Sequence, residues 1–463
     1  MTDLPRFDRK MSDAEGLMWR LEKDPHLSST FANITVLDRS PDFDMLLRRM
    51  ERTTYAVPRL RQRVQPAPAN LTAPTWCDDP NFDLRYHVRH LSLPQPATLR
   101  ELLDLASLLT CDAYDRTRPL WQFTVVDGLP DGKSALIEKL HHTIVDGEAG
   151  VQLAMQFLDL ERDAPELPPL DPDLIAAAAA AEPDTAPPDA LRELLHSTLR
   201  LPLGLLKQVL ELLADPTGIP DAGTTAADTV RGLVQQLSDV DAARSPLWTT
   251  RSLKRRVEVL RAPFEDTRTA AKRLGGTLNT AFLTAAAEAA GRYHRELGMP
   301  VEELRSSMAI STRTATSGAN AFSLVRMLVP TGDMPIGDRF RAIQAAAGAA
   351  KDASTTASME SLASLAATLP TSIITRVARQ QAQTVDFATS NVRGAPVPLY
   401  LAGARMLENY PVGPLMGVAY NLTLLSYDHS LDMGVNIDTD AVTEPDVLQR
   451  CLEKAFVDLR QAH

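Results

Sequence analysis

The chain has 463 residues, 44% of them hydrophobic, and a net charge of −11. That length can bury one large core or two medium ones, and the acidic balance argues against general nucleic-acid binding. Three cysteines far apart, Cys77, Cys111 and Cys451, give no disulfide framework and point to a reducing interior.

The N-terminus is polar through Arg9-Lys10 and lacks the apolar core of a signal peptide. No apolar run approaches the ~20 residues that span a bilayer. The expectation is a cytoplasmic protein, either soluble or lying on a membrane without crossing it. Further on, Ser134 to Leu140 is a short apolar run broken late by charge, which suits a buried strand. His141-His142-Thr143-Ile144-Val145-Asp146-Gly147 follows, and then Gly150 to Leu158 with apolar positions at helical spacing. This HHxxxDG string therefore belongs on a loop between a strand and a helix.

Adjacent side chains in extended backbone point to opposite sides, so the two histidines do different jobs. A neutral imidazole can take a proton from a hydroxyl within reach. His142 is the expected general base, and His141 its packed, hydrogen-bonded neighbour. Asp146 reads as half of a structural ion pair, because a lone buried carboxylate is costly. Gly147 gives the backbone freedom for a tight turn. The plainer reading, in a chain with nine histidines, is that such residues belong to the core or the surface. A metal site would lack a third ligand at a recognisable spacing, so no metal is expected. The chain has no Gly-x-Ser-x-Gly string to carry an acyl-serine.

Residues 1–163 form the first subdomain, ending near Glu161. Residues 164–244 form a linker that opens rich in Pro and Ala. Leucines from Leu191 to Leu213, interrupted by Pro202 and Gly204, predict a kinked amphipathic helix pair that packs on the domains or faces lipid. Residues 245–463 form the second subdomain. Its basic stretch, Arg251, Lys254, Arg255, Arg256 and Arg261, would suit anionic phosphates, but a solvated charge face is the preferred reading. Thr277 to Tyr293 is an alanine-rich, mostly buried helix. Leu362 to Val377 is ordinary core in preference to an acyl tunnel. Val397 to Met406 and Met416 to Ile437 read as strands with turns between. Pro-Leu-Trp occurs at both 119–121 and 246–248, too short a string to claim a repeat.

HHxxxDG is the signature of the CoA-dependent acyltransferase superfamily with the chloramphenicol acetyltransferase-like fold. The wider chain resembles one branch of it, the bacterial wax ester synthase/diacylglycerol acyltransferase family. Arg118-Pro119-Leu120-Trp121 is similar to its PLW motif and Pro58 to Arg63 to its PRFRQR-like segment. Trp76, Phe82-Asp83-Leu84 and His87-Val88-Arg89 resemble its W…FDL…HVR block. Ser390 to Gly394, Tyr410 to Leu415 and Ser426-Tyr427-Asp428 resemble its SNVPGP, YPVSPL and SYDG strings. The blocks run in order from about Met11 to the C-terminus. Departures are Glu148 after the glycine, Thr280 where the family has the aspartate of an ND pair, Arg393 for a proline and His429 for the SYDG glycine.

The resemblance implies an α/β fold of two chloramphenicol acetyltransferase-like subdomains sharing a central cleft or tunnel. It implies an O-acyltransferase moving a fatty acyl group from acyl-CoA to a long-chain alcohol or diacylglycerol, with no cofactor beyond acyl-CoA as co-substrate. Asn279 is then the expected oxyanion donor and Arg61 the expected partner of Asp146. Peripheral contact with a membrane or lipid droplet would let a hydrophobic acceptor arrive. The alternatives are an acyltransferase that esterifies natural-product alcohols from a carrier-protein thioester, and a lipid-binding relative without turnover.

Overall fold

The structure is a computed structural model that describes residues 9–66, 73–145, 147–165, 244–311, 322–354 and 371–462. Asp146, most of the expected linker with its leucine-rich helices, and residues 362–370 lie outside the described residues.

In the first half α1 (Asp13–Leu21) precedes β1 (Thr30–Leu37), α2 (Phe43–Ala56), β2 (Gln62–Gln65), β3 (Thr75–Asp78), α3 (Leu84–His87) and β4 (Val88–Ser92). Then come α4 (Leu99–Cys111), β5 (Trp121–Asp127), β6 (Ser134–His141) and α5 (Gly147–Ala154). Local chemistry sets the helix starts. Ser12 accepts from the Glu15 N–H at 3.2 Å while Glu15 accepts from the Ser12 N–H at 2.9 Å, a reciprocal cap that opens α1. Thr98 and Glu101 repeat the device at α4.

The second half holds β7 (Arg255–Pro263), α6 (Phe264–Arg273), α7 (Leu278–Glu296), β8 (Glu303–Ser311), β9 (Phe322–Pro330), α8 (Ile336–Ser354) and α9 (Thr371–Gln383). β10 (Phe387–Arg393), β11 (Tyr400–Leu401), β12 (Ala404–Val412), β13 (Tyr420–Tyr427), β14 (Ser430–Asp438) and α10 (Pro445–Gln461) follow. The alanine-rich α7 is buried almost throughout, as its composition predicts. It passes so near the end of β9 that a Cβ at Gly291 would stand 2.1 Å from the Thr331 carbonyl oxygen.

Two six-stranded sheets result, ordered β11-β12-β1-β6-β5-β4 and β7-β14-β13-β10-β8-β9. The expected α/β architecture of two sheet-and-helix halves is therefore present. The halves also exchange material: β11 and β12 come from the second half yet complete the first sheet, with Ile34 facing Tyr410 and Ala32 facing Val412. One face of β1, with Ala32, Ile34 and Val36, packs under Leu102, Leu103 and Ala106 of α4 and meets Val257 of β7. The other face looks toward a core that includes Met50 of α2, Trp76, and Leu425 and Tyr427 of β13. The second sheet packs its far face on α7 and α10 through Phe282, Tyr293 and Phe456.

The family-like blocks become core. Trp121 is fully buried and its indole N–H donates to the Leu60 carbonyl at 2.9 Å, joining the Pro58–Arg61 turn to β5. His87 stacks between Phe82 and Trp121, at centroid distances of 5.3 and 4.6 Å. Burial holds its imidazole down at about 4, so it is a neutral packing group.

Candidate active site

β6 ends at His141 and α5 begins at Gly147, so the HHxxxDG string spans the strand end, the connecting loop and the helix start. The helix starts earlier than its apolar spacing predicts and ends at Ala154. Beyond it the chain turns inward: Phe157 packs on Phe123 at 5.6 Å, and Asp159 pairs with Tyr400 of β11. Glu148 falls in the first turn of α5.

The adjacent imidazoles part to opposite faces. His141 is fully buried, and Nε2 donates to Glu22 Oε2 at 3.0 Å. Its Nδ1 lies 2.7 Å from Thr143 Oγ1 and accepts the Thr143 N–H at 3.1 Å. A backbone N–H can only donate, so Nδ1 is the acceptor and Nε2 carries the proton. The His142 ring is half-buried and lies against Phe31, centroids 4.6 Å apart and tilted by 36°. Its backbone N–H donates to the Ser29 carbonyl at 3.1 Å.

Glu22, the residue that caps the C-terminal end of α1, ties these parts together. Its carboxylate accepts from His141, from Ser28 Oγ at 2.7 Å and from the Ser29 N–H at 2.8 Å. Burial pushes its carboxyl up, but hydrogen bonding from His141, aided by Ser28 and Ser29, lowers it below the ordinary carboxylate value. It stays ionised and anchors both His141 and the segment that receives the His142 N–H. Sequence reading missed Glu22, because nothing local marks a contact across 119 residues.

The remaining expected residues are distributed differently. The Arg61 guanidinium lies over Tyr55 and Phe82, each at 4.5 Å, and Nη1 donates to Thr54 Oγ1 at 3.4 Å. The pairing expected for it falls on Asp146, outside the described residues. Asn279 stands at the start of α7, where its amide donates to Met308 Sδ at 3.3 Å and accepts from Asn391 at 3.5 Å. Strand alternation sets Asn391 on the α7 side of β10, with Phe387. Val392 points the other way, into the core that holds Ala149 and Leu153 of α5. The α7 core and the α5 core thus lie on opposite faces of β10.

The basic stretch keeps Lys254 and Arg261 exposed, and its charges meet acidic or backbone partners along its length. Arg256 pairs with Glu258 and Asp446, Arg261 with Asp432 and Lys254 with Asp440. Arg251 donates to the Trp248 and Gly417 carbonyls, both at 2.6 Å, and Arg255 to Ser252 at 2.7 Å. A pocket between the halves is lined by Ser28 and Thr30 from the first and Arg255, Met416 and Asn436 from the second. Thr30 shares its sheet face with its cross-strand partner His141, so this pocket lies across the sheet from the His142 ring. Among the described residues no three His, Cys, Asp or Glu side chains stand together as metal ligands, and no helix is long and apolar enough to cross a membrane.

Comparison with known proteins meets this geometry. Residues 11–282 match the wax ester synthase/diacylglycerol acyltransferase catalytic domain and residues 318–460 the C-terminal domain of the same family. A putative diacylglycerol O-acyltransferase of Mycobacterium tuberculosis is 32% identical over 466 residues, covering 98% of this chain and 92% of the relative. The wax ester synthase/diacylglycerol acyltransferase from Marinobacter aquaeolei superposes with a TM-score of 0.67 at 21% identity, covering 98% of each chain. A starter condensation domain of rhizomide synthetase, in complex with C8-CoA, superposes with a TM-score of 0.51 at 13% identity, covering 97% of this chain and 94% of that one.

Proposed function

Given that the chain belongs to the wax ester synthase/diacylglycerol acyltransferase family and is an acyltransferase, we propose that it moves a fatty acyl group from acyl-CoA to diacylglycerol or a long-chain alcohol, with His142 as general base. The hydroxyl of the acceptor gives its proton to the imidazole as its oxygen attacks the thioester carbon. The carbon–sulfur bond then breaks, and the imidazolium returns the proton to the departing CoA sulfur. Holding both substrates in register supplies a large part of the acceleration.

The observation that carries this reading is the division of labour between adjacent rings. His141 is sealed and bonded at both nitrogens, while His142 keeps accessible surface on the other face. Acyl-CoA as donor is supported by the C8-CoA complex of the rhizomide starter domain. The name of the mycobacterial relative favours diacylglycerol as acceptor. The chemistry also calls for an oxyanion donor, a role for which Asn279 at the start of α7 is the candidate. A lipid-soluble acceptor implies peripheral contact with a membrane or lipid inclusion.

The test is thiol release by the purified protein from palmitoyl-CoA, with hexadecanol, a diacylglycerol and a short branched alcohol as acceptors. Palmitoyl-loaded carrier protein serves as the competing donor. The expected result is release from palmitoyl-CoA with the long-chain acceptors. His142→Ala should lower the rate by about 10²–10⁴-fold. A variant that keeps near-wild-type ester synthesis sinks the base assignment.

A further inference from the structure

β1 is an inner strand, paired to β6 on one side and β12 on the other. Side chains on such a strand reach open space only through a gap over the sheet. Phe31 and Asn33 both keep accessible surface, and so does Asn409 of β12. Register and alternation set all three on one face, together with Leu140, Glu138 and Leu136 of β6. His142 rests on Phe31 at the start of that row, at 4.6 Å. Accessible surface therefore recurs along this face, at His142 and Phe31 and again at Asn33 about 7 Å further at two residues of strand rise, and we read it as a gap over the sheet.

A polar cluster stands in the wall of this gap. Asn33 Nδ2 donates to Glu138 Oε2 at 2.7 Å and to Asn409 Oδ1 at 2.6 Å. In this arrangement both partner atoms accept from the Asn33 amide nitrogen. Its Oδ1 is left buried and accepts no hydrogen bond. Among the described residues no Lys or Arg pairs with Glu138, whose flanks on the same face are Leu136, Leu140 and Phe123. Burial pushes its carboxyl up to about 7, so near neutrality it both donates and accepts.

An alkyl chain lying in this gap asks for apolar walls throughout. A carboxyl without counter-charge and an unused amide oxygen are costly there unless something returns their hydrogen bonds. Joining β12 to β1 does not account for them, because the backbone ladder from Ala32 to Leu37 already does so.

We propose that Asn33, Glu138 and Asn409 form a subsite that binds a hydroxyl carried along the alkyl chain of a substrate, several carbons from the reacting end. The substrate class is a hydroxylated fatty acyl thioester or a long-chain diol. The inference rests on His142 being the reacting centre, since that sets the direction in which the gap is read.

The experiment uses the whole chain and two series of probes. In one, hydroxyhexadecanoyl-CoA esters with the hydroxyl at successive carbons are each paired with hexadecanol. In the other, palmitoyl-CoA is paired with hexadecanediols of stepped spacing. One position in one series is expected to exceed the plain chain in kcat/KM by at least about tenfold, the yield of one well-made hydrogen-bonding contact. Which series shows it identifies the donor or the acceptor as the bearer. Glu138→Leu and Asn33→Leu should abolish the preference, and Glu138→Gln, which keeps a donor and an acceptor, should retain it. A wild-type protein that turns over plain chains and prefers no hydroxylated one overturns the subsite whatever the variants do. So does a preference that survives both leucine variants. No thiol release from any pair would instead overturn the acyl-transfer reading beneath it.

Discussion

The two halves of the molecule each bury a tryptophan from the same Pro-Leu-Trp string against a histidine. Trp121 lies 4.6 Å from His87, and Trp248 lies 4.5 Å from His294. Burial lowers the pKa of both imidazoles, so both are packing groups. The halves differ in what comes next. Trp121 opens β5 and faces Leu140 of β6, next to the paired histidines. Trp248 leads through a loop, pinned by Arg251, before β7 begins at Arg255. The same three residues build a core in both halves, but only one of those cores lies beside the loop proposed to react. A motif's chemistry therefore depends on the strand it feeds, not on its letters.

The largest expected effect separates the histidine proposed to react from a packed one. His142→Ala should cost the ~10²–10⁴-fold in rate given above while leaving the thermal transition in place. His294→Ala, which strips bonds to Ser245 and the Ala290 carbonyl, both at 2.7 Å, should do the reverse. It is expected to cost about 2–3 kcal/mol of stability, with the rate per folded molecule unchanged. Thiol release alongside urea titration reads both.

Next in size are the tryptophans. Trp121→Ala and Trp248→Ala should each lose about 3–5 kcal/mol. The first should cost more, because the Leu60 carbonyl loses its donor. Only the first should also lower turnover, since β5 supports β6. Equal losses of turnover in the two variants would erase the distinction between the halves.

Smaller again is a pH effect carried by Glu138. Its carboxyl titrates near 4.5 when unfolded and about 7 when folded. Between those values the folded chain holds the extra proton, so its contribution is complete below pH 4.5 and gone above 7. Unfolding free energy should fall across that window by about 3 kcal/mol. Glu138→Gln should flatten this part of the stability curve, read by urea unfolding at stepped pH. The smallest effect lies in the β13–β14 turn, where Asp428 and His429 hold φ of 38° and 67°. His429→Gly removes a side chain from a left-handed position and should stabilise by about 1 kcal/mol, seen as a higher Tm.

Much of this was legible in the residues. The apolar run of Ser134 to Leu140 and the alanines of 277–293 each report burial that the packing then shows, and the apolar spacing after Gly150 found a helix, though one that ends at Ala154. The opposite facing of His141 and His142 follows from the strand alone. What stayed hidden is pairing at a distance. Glu22 has no local mark of its contact with His141. Asn279 carries no local mark of its contact with Asn391 of β10. The arginines from 251 to 261 look like an open basic face until β14 and α10 bring Asp432, Asp438 and Asp446 alongside. Sequence patterns say which side of an element is greasy; they do not say what will cover it.

β12 has a consequence for how the protein is made. Asn33 meets a partner 376 positions downstream, so the edge of β1 stays open until that partner has left the ribosome. Until then a bare strand border is exposed to other nascent chains. Pieces cut between the halves should be insoluble alone and recover only when expressed together, and refolding from denaturant should be slow because the closing contact is so remote.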